Sequence, residues 1–327
     1  MRKLLKITAT FALALVFSAG MAFGQSHDAT VDQIGDDSEA DIEQLGSDNE
    51  ATVFQSEELG VFGQASGDAN HLADILQDGS NNAADVEQRA EDSEALIEQT
   101  GSGNVLEADD YGPGSFTQGQ YGEDNSIDAL QDGDNNVGRI NQAGRNFDAD
   151  LTQDGDNNEA NLNMVGAASL GSATDINNVD FNENFEAFVT QNGDGNFADV
   201  QQLAFDLASV NQATVDQTGD DNYVELSQGD GTNTATITQG DNLGDYENVA
   251  RLDQEQGSTA DVLQEGNRNR LSAVGAKFDF ATQVNSTLDL DQDGNNNWAQ
   301  VDQQASGSSA TINQEGSRNT SVVDQQP

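Results

Sequence analysis

Side chains able to make or break covalent bonds are scarce in this 327-residue chain: it has no Cys and two His, His27 and His71. Thiolate nucleophiles, disulfides and Cys-ligated metals are therefore excluded, and no Ser/His/Asp arrangement can be drawn on spacing. Carboxylates number 59, spread so evenly that no single pair stands out as the acid and base of a glycosidase. The run Gly193-Asp194-Gly195-Asn196-Phe197-Ala198 fits a dinucleotide-binding spacing, but no helical pattern follows it and it reads as a turn. Asp132-Gly133-Asp134-Asn135 and Asp154-Gly155-Asp156-Asn157 look like calcium loops, yet the nine-residue period and double Gly of the calcium β-roll are missing. Weak incidental calcium binding is the most such a surface implies, and no cofactor is expected. Trp298 reads as outward decoration, and Phe181, Phe185 and Phe188 as a local plug under a loop.

The polar side chains that do recur at fixed spacing are carboxamides, which both donate and accept hydrogen bonds. Gln33, Gln44 and Gln55, then Gln77, Gln88 and Gln99, then Gln131, Gln142 and Gln153 follow one another every 11 residues. So do Gln217, Gln228 and Gln239, and later Gln292, Gln303, Gln314 and Gln325. Asn precedes a Gln by six at Asn136, Asn222, Asn233 and Asn297, and Asn158 holds the same place before Met164. Gly follows a Gln by two at Gly35, Gly46, Gly79, Gly133, Gly155, Gly219, Gly294 and Gly316. Carboxamides stacked layer on layer can bond each to its equivalent in the next, and we expect such a ladder here.

The elements that would position these ladders are legible in residues 120–164, where Q-x-G-x-x-N-x-A-x-(V/I/L)-x-Q repeats every 11 residues. The half N-x-A-x-V-x-Q alternates with period two, a strand with one inward face. The half x-G-x-x is turn chemistry, with Gly supplying positive φ and Asp or Asn tolerating it. A strand and turn reverse the chain, so two units close one layer of 22 residues. The expected fold is all-β: a β-solenoid of 11-residue strand-turn units, two per layer. Roughly 26 units would give about 13 layers and a rod on the order of 60 Å.

Residues 1–24 read as a secretory signal peptide, with basic Arg2, Lys3 and Lys6, an apolar run and the small-x-small site Ala22-Phe23-Gly24. Residues 25–327 read as a single solenoid domain with looser insertions near 103–119, 165–190 and 270–285. Between Gln55 and Gln77 the spacing of 22 implies a degenerate middle unit around Phe62 and Gln64. No later apolar run is long enough to span a bilayer. With 59 acidic against 11 basic residues the chain is unsuited to bind nucleic acid. Hydrophobic residues make up 35%, so the amide ladders must supplement apolar burial.

Gln33-x-Gly35, Gln153-x-Gly155-x-x-Asn158-x-Ala160 and Gln292-x-Gly294-x-x-Asn297-x-Ala299 with Gln303 resemble the curlin repeat of bacterial curli subunits. The resemblance implies a secreted, non-enzymatic subunit of an extracellular amyloid fibre on a Gram-negative-type bacterium, serving biofilm matrix and cell adhesion. It also implies partners: further copies and other curlin-type subunits, an outer-membrane export pore and a nucleator. The Gly-rich segment that curlin subunits carry before the first repeat is replaced here by Gln25 to Asp28 alone. Both solenoid ends read as uncapped, so end-to-end stacking is expected. The alternative reading is a monomeric acidic β-solenoid serving as a surface binding module, an adhesin or calcium-loaded protein.

Overall fold

The computed structural model describes residues 26–34, 38–56, 70–108, 119–166, 184–203, 209–240, 245–273 and 279–327. Residues 1–24, and with them the expected signal peptide, lie outside these, as do Gly35, Phe62, Gln64 and Phe181. The described chain forms 25 β-strands and no helix. Successive rungs alternate between two sheets, and every pairing is parallel, as a coiling chain requires. The fold is a β-solenoid.

The first sheet runs from Asp28–Ile34 through Glu50–Ser56 and on to Thr320–Gln325; the second runs from Glu39–Ser47 to Ser309–Ser317. The second sheet has 11 strands, each a complete rung. The first has 14 strands forming twelve rungs, because two rungs are each built from two short strands. Val105–Ala108 and Gly119–Glu123 share one, and Arg270–Ser272 and Ala281–Val284 share the other. The expected insertions at 103–119 and 270–285 therefore shrink to excursions within a rung. That at 165–190 narrows too, since Glu159–Val165 and Asn184–Asn192 are both strands.

The described rungs are fewer than the roughly 26 units the period suggests. The degenerate unit between Gln55 and Gln77 accounts for one: Glu39–Ser47 pairs directly with Leu72–Ser80, leaving no rung between them. A count of elevens cannot tell a rung from an insertion of equal length.

Along each strand burial alternates, as in Asp148–Asp154, where Ala149, Leu151 and Gln153 point inward. The inward Ala and Val, Ile or Leu of both sheets form one continuous apolar core from Ala51 to Ile312. Because pairing is in register, equivalent inward positions stack on one another, for example Ala149 on Ala187 and Gln153 on Gln191.

Candidate functional site

Toward the C-terminal end of most rungs an inward Gln meets its equivalent one layer away. In the second sheet the column comprises Gln44, Gln77, Gln99, Gln131, Gln153, Gln191, Gln217, Gln239, Gln264, Gln292 and Gln314. Each Nε2 donates to the next Oε1 at 2.6–2.9 Å without interruption. The second N–H of the same amide donates across the core to a carbonyl at the start of a first-sheet strand, as from Gln77 to Glu50 and from Gln153 to Val137. One side chain thus links adjacent layers and ties the two sheets together.

In the first sheet Gln33 donates to Gln55 and Gln55 to Gln88, and Gln202 begins a run through Gln228, Gln254, Gln283 and Gln303 to Gln325. Gln142 faces Met164, and Met164 faces Gln202. A thioether can neither receive the amide proton usefully nor supply one. Gln202 Oε1 is accordingly buried with no hydrogen-bond partner. All sixteen Gln singled out from the sequence fall on one of these two columns. Gln191, Gln202, Gln254, Gln264 and Gln283 occupy the same columns; Gln202 follows Gln191 by 11, whereas spacings of 38, 15, 10 and 19 lead into Gln191, Gln254, Gln264 and Gln283.

The Asn residues stack by a different bond. Asn136, Asn158, Asn222 and Asn297 belong to one column on the edge where the chain passes from the second sheet to the first. Asn49, Asn82, Asn104, Asn196, Asn248, Asn269 and Asn319 complete it. Each Oδ1 accepts from the backbone N–H of the next Asn, as from Asn158 to Asn136 at 2.9 Å, while Nδ2 reaches a Gly carbonyl at most positions, as from Asn136 to Gly155 at 2.7 Å, and the Thr218 and Glu315 carbonyls at Asn222 and Asn319. The amide-to-amide ladder expected for Asn is thus mostly a side chain-to-backbone one: its shorter stem keeps the amide at the turn. Asn233 lies on the opposite edge, above Asn211, in a mixed column with Ser93, Asn125, Phe147 and Phe185. Only the pairing of strands separates the two series.

Gly46, Gly79, Gly133, Gly155, Gly219, Gly294 and Gly316 all take positive φ. At Gly155 (φ 119°) a Cβ would lie 2.2 Å from the Gly193 carbonyl oxygen of the next layer, so the turn requires Gly for space as well as for conformation. Asn135 and Asn157 adopt the left-handed region beside it. The 193–198 run is such a turn, with Gly193 and Gly195 at positive φ before the strand Phe197–Leu203. Trp298 lies on an outward position, its Nε1 donating to Ser272 Oγ. Phe188 also points outward, whereas Phe185 is fully buried.

Charge is divided between the faces. The second-sheet strands carry 21 Asp and Glu and no Lys, Arg or His, whereas Arg89, Arg139, Arg145, Arg251 and Arg270 all lie in first-sheet strands. There Arg139 bridges Glu107 and Glu159 at 3.2 and 2.6 Å, and Arg251 pairs with Glu225 at 2.7 Å, its guanidinium lying over the Tyr223 ring. On the second sheet, burial and then the carboxylates of Glu186 and Asp128 push Asp148 above the usual carboxylate range. Burial and then Asp148 and Asp128 do the same to Asp150. Among the described residues no three His, Asp or Glu converge closely enough to hold a metal ion.

Four stretches of the chain, residues 35–72, 67–101, 122–155 and 285–316, match the family model of the curlin associated repeat. The second-sheet strands Asn184–Asn192, Val210–Thr218, Thr234–Gln239 and Thr259–Asn267 keep the same inward Ala, aliphatic and Gln positions although those matches do not include them. No curated protein matches the chain.

Proposed function

We propose that this chain, which carries curlin-associated repeats, is a secreted structural subunit that assembles end to end into an extracellular curli-like amyloid fibre. The observation that carries this reading is the polarity of the Gln columns. Each described Gln–Gln link runs from Nε2 of one layer to Oε1 of the layer after it, from Gln33 onward to Gln325. The first rung accordingly offers Gln33 Oε1 outward. Gln325 spends one N–H on the Ser309 carbonyl and keeps its other for the layer beyond. A second copy placed in line can continue the column as well as the parallel backbone pairing. Matrix building and adhesion are the roles that fit such a fibre. Export through an outer-membrane pore and growth on a nucleator follow from the curlin resemblance. The carboxylates on both outer faces oppose side-by-side clumping and favour growth along the axis.

The test is incubation of the purified chain at low and high salt, followed by thioflavin-T fluorescence and fibre diffraction. Fibres with reflections near ~4.8 and ~10 Å, growing faster in salt because repulsion is screened, are expected. A folded β protein that stays monomeric under both conditions would overturn the proposal.

A further inference from the structure

A stack of near-identical rungs has a register problem. The inward positions of most rungs run polar, small or aliphatic, aliphatic or small, Gln, so a slip by whole layers again puts Gln on Gln and apolar on apolar. One such slip competes directly with the native fold. If Asn184–Asn192 paired with Ser126–Asp134 instead of Asp148–Asp154, Gln131 would meet Gln191. On the other sheet Gln142 would meet Gln202, and Asn136 would meet Asn196. Both ladders would run on through this region, and Gln202 Oε1, buried and unpaired in the native stack, would gain a donor. Looping out the layer that holds Met164 thus heals the ladder break that Met164 creates.

The slip would cost the core the buried Ala149, Leu151, Ala160 and Leu162 of the expelled layer, and one cluster of side chains further distinguishes the two registers. Phe147 and Phe185 occupy the inward positions that carry Asn or Ser in neighbouring second-sheet rungs, and their rings stack at 4.6 Å and 6°. Met164 is fully buried on the same edge, flanked by the buried Ala143 and Val165. Gly144 leaves room for the first ring: a Cβ there would come 2.3 Å from Phe147. In the slipped register Phe185 would lie against Asn125, and Phe147 would leave the stack. Met164 and Phe185 lie on either side of residues 167–183, the longest stretch between described strands.

We propose that Phe147, Met164 and Phe185 form a register key, which gives up one amide link so that the rungs on either side of 167–183 stack in a single alignment. The key acts within one chain and does not depend on assembly into fibres.

The absence of Cys makes the test direct. In the native stack Thr152 and Thr190 are outward neighbours one layer apart, whereas Leu130 and Thr190 are two layers apart. The pair T152C/T190C therefore reports native register on oxidative refolding, and L130C/T190C reports the slipped one, each read as an intramolecular cross-link by mass. Introducing F147N/M164Q/F185N is expected to raise the slipped cross-link at least several-fold over the parent. M164Q alone keeps the Phe stack, so it should retain native register and raise the unfolding midpoint by giving Gln202 Oε1 a donor. A triple variant that yields only the native cross-link would overturn the proposal. So would M164Q yielding as much slipped product as the triple variant, since the Phe pair would then hold nothing in place.

Discussion

A buried carboxamide in a column has four hydrogen-bonding valences to satisfy, and the two Gln columns differ in how well they do so. Gln153 receives from Gln131, donates to Gln191 and donates again to the Val137 carbonyl. Truncation to Ala would strand a donor above and an acceptor below as well as leave a void. Gln153→Ala should therefore cost about 2–4 kcal/mol in urea unfolding, the sum of a lost amide and two unsatisfied neighbours. Gln142 already faces Met164, so Gln142→Ala breaks fewer bonds and should cost less, about 1–2 kcal/mol. Asp150→Ala removes an outward carboxylate that its acidic neighbours already oppose, and it should be neutral or slightly stabilising. Equal losses for Gln153 and Asp150 would remove the columns from the account of stability. The same order is expected for fibre growth rates.

At the scale of the element, the strand is tolerant and the turn is not. Outward strand positions accept Asp, Thr, Leu or Phe in the same register column, as at Asp128, Asp150, Phe188 and Thr214. The turns bring backbone to backbone between layers. Gly155→Ala would drive a methyl to 2.2 Å from a carbonyl oxygen at a φ that L residues avoid. A loss of roughly 3 kcal/mol or more is expected, from conformational strain and displaced turns together. Gly316 has the same turn geometry (φ 92°), but a methyl there would meet nothing within 4 Å. Gly316→Ala should therefore carry only the conformational part, about 1–2 kcal/mol. Thermal melts of the two variants side by side measure the interlayer contribution. Similar melting points would mean that the turns are held by φ alone.

Over the whole molecule the two sides of the solenoid are unlike. The second sheet has unsplit rungs, an unbroken Gln column and strands without a cation. The first has the split rungs, the Met164 break, the Arg–Glu pairs and the stacked Phe197 and Tyr223. Uncompensated charge makes the fold pH-sensitive in a definite direction. Burial raises the pKa of Asp148, Asp150, Asp199, Asp216 and Asp253 above 3.8, with neighbouring acids adding to the first three. Between the unfolded value and the raised folded value the native state holds more protons than the unfolded chain. Stability therefore falls as pH rises through that window and is regained on acidification. The urea midpoint should rise as pH drops from 7 toward about 4.5, and Asp148→Asn with Asp150→Asn should flatten the dependence. A midpoint that falls on acidification in this range would contradict the assignment.

Much of this architecture is readable from sequence because its period is short and its constraint local. A strand of alternating inward residues followed by a Gly turn is dictated within 11 residues, and in-register stacking of identical units then follows from hydrogen bonding. That is why every Gln named from the count lies on a column, and why a β-solenoid was legible without a partner sequence. Pairing across insertions was not legible, since only contact between distant rungs can show that Gln44 meets Gln77 and Gln153 meets Gln191. The division of Asn136 and Asn233 between opposite edges depends on the same alternation of strands between sheets. The tertiary structure alone placed Met164, Phe147 and Phe185 on one edge. They lie up to 38 residues apart in sequence, yet Phe147 and Phe185 occupy adjacent layers, as do Gln153 and Gln191. Local periodicity determines what a rung is; burial and long-range pairing decide which rungs are neighbours, and there the energetic cost of an unsatisfied amide or a misplaced ring is felt.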